Sequence, residues 1–134
     1  MGIVKILIDT NTYSDAMRGV RPVTALLQRA DDILLCPVVV GELLAGFRRG
    51  TREEANRELL WRFLASPRVR AVGMSQDTSE FYATVLDGVR RKGTPIPTND
   101  IWIAACAMEH GARLATGDSH FQKVDGLLLV QAKA

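Results

Sequence analysis

Residues Ile3 to Ile8 are apolar apart from Lys5, and the run stops abruptly at Asp9-Thr10-Asn11-Thr12. A strand that is apolar on both faces needs cover on both sides, as a central strand of a parallel sheet flanked by helices has. This feature predicts an α/β fold, and the remaining chain is consistent with it. Strand and helix signals alternate throughout, without repeats, low-complexity segments or a linker rich in Gly, Ser or Pro. A short helix is expected through Met17, then a second from Pro22 with Val23, Leu26, Leu27 and Ala30 on one face, closed by Asp31-Asp32. Ile33 to Leu35 reads as the second strand. Pro37 forbids its continuation as a central strand, so Val38 to Phe47 is taken as helix despite three valines. Thr51-Arg52-Glu53-Glu54 matches a capping box for a helix carrying Ala55, Leu59, Leu60, Phe63 and Leu64, stopped by Ser66-Pro67. Val69 to Val72 is a third, short strand, and Ser75 or Asp77 caps a long helix with Phe81, Val85 and Leu86. After a loop from Gly93 to Pro97, Thr98 or Asn99 caps a helix with Ile101, Ala104, Ala105 and Met108 inward, ended by Gly111. Arg113 to Ala115 and Leu127 to Val130 supply the last strands. The expectation is a three-layer α/β/α arrangement around a parallel sheet of about five strands.

The 134 residues fit one domain spanning 1–134. No apolar stretch approaches the roughly 20 residues that span a bilayer. No basic region precedes a long apolar segment at the N-terminus, so a secretory signal is not expected and the protein is read as cytoplasmic. Cys36 and Cys106 lie among apolar neighbours in no metal-binding spacing, which suits free buried thiols.

Asp9 stands at the end of the first strand, and Asp118 follows the strand at Arg113 to Ala115, behind Thr116 and Gly117. In open α/β sheets, ligands bind at the carboxyl edge. Glu42, on the helix after strand two, and Asp100, in the first turn of another helix, can project toward the same edge. Carboxylates sharing one pocket repel unless a cation joins them, and Mg²⁺ or Mn²⁺ suits oxygen ligands. With only His110 and His120 and no Cys/His spacing, zinc is not expected. Spacing alone leaves helix capping open for Asp100, whereas Asp9 has no obvious capping role. Once these acids are set aside, the 17 basic residues, 13 of them arginine, leave a positive surface suited to polyanions.

Four segments, Leu7-Ile8-Asp9-Thr10-Asn11, Val40-Gly41-Glu42-Leu43, Asn99-Asp100-Ile101-Trp102-Ile103-Ala104-Ala105 and Thr116-Gly117-Asp118-Ser119-His120-Phe121, resemble the PIN-domain family and its VapC-like toxin branch. They occur in the family's order and extend over nearly the whole chain. The resemblance implies a five-stranded parallel sheet and a Mg²⁺ or Mn²⁺ site built from Asp9, Glu42, Asp100 and Asp118. It also implies endoribonuclease activity on RNA, a homodimer and inhibition by a small antitoxin. Asn11 and Thr116 match supporting polar positions that orient carboxylates or water. Cys36-Pro37 departs from the Ser or Thr that many relatives place before the Glu-bearing helix.

His120 is a peripheral candidate, as a proton donor or as a packing and capping residue. Arg48-Arg49-Arg52 and Arg90-Arg91-Lys92 suit either an RNA-binding rim or solvated helix ends. Trp61 and Trp102 suit base stacking or ordinary packing. Three competing functions remain: a solitary RNA-processing nuclease, a phosphatase with Asp9 as nucleophile, and a non-catalytic RNA-binding module. Asn11 stands where the second acid of a D-x-D phosphatase motif belongs, and no metal acid is missing.

Overall fold

The structure, a computed structural model, describes residues 4–132. Ile3, included in the predicted first strand, lies outside the described residues. The chain runs β1 (Lys5–Ile8), α1 (Thr10–Met17), α2 (Arg21–Arg29), β2 (Asp32–Leu35), α3 (Pro37–Arg49), α4 (Glu53–Leu64) and β3 (Val69–Ala71). It continues through α5 (Gln76–Lys92), α6 (Thr98–Glu109), β4 (Arg113–Thr116), a 3₁₀ turn (Ser119–Lys123) and β5 (Leu129–Gln131). All strand pairs are parallel, in the order β3-β2-β1-β4-β5. Successive residues of a strand face opposite sides. Ile6, Leu7 and Ile8 are all fully buried, so helices cover both faces of β1 in the expected three-layer arrangement.

This topology fixes where a site can form. From β1 the chain builds outward through β2 to β3, then crosses back to add β4 and β5 on the other side. Connections diverge between β1 and β4, opening a crevice beyond their carboxyl ends. The register pairs Ile8 with Ala115, so Asp9 leaves the sheet level with Thr116.

Several local expectations are corrected. Glu53 opens α4 with Arg52 at its cap and no side-chain capping bond, so the Thr51 capping box does not form. Glu53 instead approaches Arg48 at 3.5 Å and Arg57 at 3.8 Å. Neither Thr98 nor Asn99 caps α6; Pro97 occupies that position, and its carbonyl accepts from the Ile101 N–H. Asp31-Asp32 does not close α2, because Asp32 opens β2 and pairs with Arg70 while Asp31 accepts from the Val4 N–H at 2.8 Å. The final strand begins at Leu129 rather than Leu127.

Other local signals match the structure. Ser75 caps α5 in a reciprocal box with Thr78. Pro37 begins α3, and Gly111 leaves α6 with φ +62°, a conformation that favours glycine. Both cysteines are free and buried. Their mutual interaction in the core raises the Cys106 pKa, burial reinforcing it, and lowers that of Cys36.

Candidate active site

Beyond the carboxyl ends of β1 and β4 lies a pocket of about 410 Å³. Asp9, Glu42, Asp100 and Asp118 all line it, together with Thr10, Asn11, Ala45, Arg49 and Ile103. Residues 109 positions apart in sequence meet here because β1 and β4 are neighbours in the sheet, while α3 and α6 pack together over that edge.

Asp9 is 6% exposed and its two oxygens are both engaged. Oδ1 accepts from the Thr12 N–H at 3.0 Å, which makes Asp9 the N-cap of α1, a role not expected from the sequence. Oδ2 accepts from the Thr116 hydroxyl, and the Thr116 Oγ1 accepts from the Asp118 N–H at 2.9 Å. Thr116 thus ties together the acids that follow β1 and β4. Thr12 adds a second tie by donating its hydroxyl to the Ala115 carbonyl at 2.9 Å. Asp118 in turn caps the 3₁₀ turn through the His120 N–H at 2.8 Å.

Glu42 is held from two sides. Thr10 donates to Oε1 at 2.6 Å and the Asn99 amide donates to Oε2 at 3.0 Å. Asn11 lines the pocket but makes no side-chain hydrogen bond among the described residues. Thr10 and Asn99 were missed as site residues in the sequence. Their only signal is adjacency, since each stands next to one of the site acids.

His120 is a direct neighbour of the acids. Its Nδ1 lies 3.1 Å from Asp100 Oδ2 and 3.2 Å from Asp118 Oδ1. One potential ligand atom from each of Asp100, Asp118 and His120 falls within 4.8 Å of the others. Burial raises the pKa of Asp100; the His120 hydrogen bond pulls it down, while the negative charges of Asp118 and Glu42 push it further up.

Among the described residues, no lysine or arginine forms an ion pair with any of the four acids. The donors that orient Asp9 and Glu42 are neutral hydroxyl, amide and backbone groups. They fix the oxygens without supplying positive charge, so the site fits a hard divalent cation bound by several carboxylates.

Comparison with known proteins identifies the family of the chain. The PIN domain family model matches residues 6–127, a span holding every pocket residue named above. Over 84 residues the chain is 31% identical to ribonuclease VapC4 of Mycobacterium tuberculosis, covering 63% of this chain and 65% of that protein, slightly under two thirds of its length. A second alignment, 30% identical over 134 positions, covers 93% of this chain and 96% of the plasmid stability protein StbB of Pseudomonas syringae pv. tomato. The chain also superposes on the crystal structure of VapBC2 from Rickettsia felis bound to a DNA fragment from their promoter. That match has a TM-score of 0.83 at 24% identity and covers 95% of this chain and 98% of the other. With a family match over almost its whole length and the α/β/α architecture to go with it, this chain belongs to the PIN domain family.

Proposed function

We propose that this protein is a metal-dependent endoribonuclease, the toxin of a toxin–antitoxin pair, with Asp9, Glu42, Asp100 and Asp118 holding Mg²⁺ or Mn²⁺. The observation that carries the reading is the gathering of these acids in one pocket without a lysine or arginine partner among the described residues. The similarity to ribonuclease VapC4 supports RNA as substrate, and the resemblance of the four motifs to VapC-like toxins supports a small antitoxin as partner.

When bound, the ion supplies positive charge beside the scissile phosphate and readies water for attack. The chain's own part is to keep the ligand oxygens in place. Thr12 and Thr116 fix Asp9, Thr10 and Asn99 fix Glu42, and His120 steadies Asp100 and Asp118. Such partners typically contribute about 10–100-fold in metal affinity or activity. Asn11, in place of the second acid of a D-x-D motif, argues against Asp9 as a phosphatase nucleophile. An antitoxin arginine entering the pocket would neutralise the same carboxylates, so excess Mn²⁺ weakens inhibition. The family resemblance supports a homodimer. Among the described residues, no helix is long and apolar enough to cross a membrane.

The test is cleavage of single-stranded and stem-loop RNA by the purified chain with Mg²⁺ or Mn²⁺. Cleavage is expected to stop on adding EDTA and to be lost in Asp100→Asn. Cutting that persists undiminished in EDTA refutes the reading.

A further inference from the structure

Among the described residues, Arg49 is the one arginine that lines the carboxylate pocket. It stands on α3 with Glu42, and the residues between them on that face are Ala45 and Gly46, at i+3 and i+4 from Glu42. Helical side chains lean toward the N-terminus, so the Arg49 guanidinium covers the turn before its own Cα, on the side of Glu42. A Cβ built at Gly46 would lie 4.0 Å from Arg49 Nη2 and within 4 Å of no other atom outside its own helix backbone. The lack of a side chain at Gly46 leaves the guanidinium room to lie along the helix.

Its neighbours are placed differently. Arg48 turns toward Glu53 at 3.5 Å, and Arg52 sits at the cap of α4 outside the pocket. Arg49 forms no ion pair among the described residues, although its pocket contains four acids. A guanidinium at the rim of an anionic centre, yet unpaired with it, has its donors available to an anion from solution.

We infer that Arg49 is a substrate-positioning residue that forks onto a backbone phosphate of the RNA strand next to the phosphate held at the carboxylates. This rests on the ribonuclease reading and adds a phosphate subsite to it. Ala45, which lines the pocket, stands on the helix face between the two subsites, with Gly46 beside Arg49. Of the basic cluster Arg48-Arg49-Arg52, only Arg49 faces the pocket.

The test uses a fluorescently labelled, mixed-sequence single-stranded RNA, with Ca²⁺ replacing Mn²⁺ for binding and Mn²⁺ present for cleavage. Arg49→Ala is expected to weaken binding about 10-fold, the scale of a charge-assisted fork. The slope of log affinity against log salt should shrink by about 0.7, the value for one phosphate contact on a single strand. In cleavage the loss should appear in KM more than in kcat. Arg49→Lys keeps the charge without the fork and should fall between, while Arg48→Ala should stay within about 2-fold of the parent. Gly46→Leu keeps Arg49 but sets a bulky side chain against its guanidinium, and should weaken binding as well.

Melting curves establish that each variant is folded. If the parent cuts RNA while Arg49→Ala retains its KM and salt slope, the subsite is refuted and the ribonuclease reading stands. If the parent neither binds nor cuts RNA, both fail.

Discussion

Replacing Asp9 by asparagine or by alanine separates two jobs that the structure gives one side chain. Asn caps a helix about as well as Asp, so the bond from the Thr12 N–H survives Asp9→Asn at little cost. The oxygen facing Thr116 becomes an amide NH2, which cannot accept the hydroxyl, so this bond survives only in reverse, with the amide donating to Thr116 Oγ1, a loss of about 1 kcal/mol. Without metal, removing one negative charge from a pocket shared with Glu42, Asp100 and Asp118 returns about the same amount. In EDTA, Asp9→Asn should therefore melt within about 3–5 °C of the parent, equivalent to roughly 1 kcal/mol in a chain of this size. Asp9→Ala loses the cap and leaves the Thr12 N–H and Thr116 hydroxyl without their acceptor, for about 2–4 kcal/mol in all. Mn²⁺ at about 100 times its dissociation constant should stabilise the parent by about 2.7 kcal/mol and both variants far less. Thermal melts of the three proteins, with EDTA and with Mn²⁺, read every term. If Mn²⁺ raises Asp9→Asn as much as the parent, Asp9 is not a ligand. If Asp9→Asn falls as far as Asp9→Ala in EDTA, the charge itself is structural.

Asp100 has a raised pKa, so over the window from its ordinary value of 3.8 up to the raised one the folded state binds more protons than the unfolded state. In EDTA its contribution to stability is therefore complete below that window and lost as pH rises through it. Asp100→Asn should gain stability relative to the parent across the same window, read from denaturant midpoints; a difference that moves the other way overturns the assignment. Thr116→Val leaves Asp9 Oδ2 and the Asp118 N–H without their shared partner, so it should cost about 1–3 kcal/mol and weaken Mn²⁺ binding about 10–100-fold, measured by calorimetry. Ser75→Ala removes the cap of α5 far from the pocket, and should lower stability by about 1 kcal/mol while leaving Mn²⁺ affinity unchanged.

The fold was legible where one force dominated. Double-sided burial makes β1 apolar at consecutive positions, and proline ends β2 and starts α3 whatever the valines prefer. Element ends were less legible because several groups compete to satisfy the same backbone donors. Thr51 has the right chemistry to cap α4, yet Arg52 takes the cap position at φ −129° and ψ 39°, and the helix starts one residue later than the motif suggests. Asn99 also has a capping side chain, but its amide is spent on Glu42, a residue 57 positions earlier. No local pattern carries that information. It depends on α3 and α6 meeting over the sheet edge, which is a property of the topology.

The acids themselves were legible in the sequence, but the choice between capping and binding was a false one. A carboxylate has two oxygens and about four lone-pair sites, so one backbone N–H uses only part of its accepting capacity. Asp9 caps α1 and Asp118 caps the 3₁₀ turn while both line the pocket. The cap fixes the side chain against the start of its own helix or turn, and Thr116 couples the two acids through a single hydroxyl. Capping is therefore one means by which the site is preorganised: the hydrogen bonds that begin α1 and the turn after β4 also set where the remaining lone pairs point. A capping position at the carboxyl end of a parallel strand, beside a topological switch, is then an argument for a ligand role as well as for a helix start.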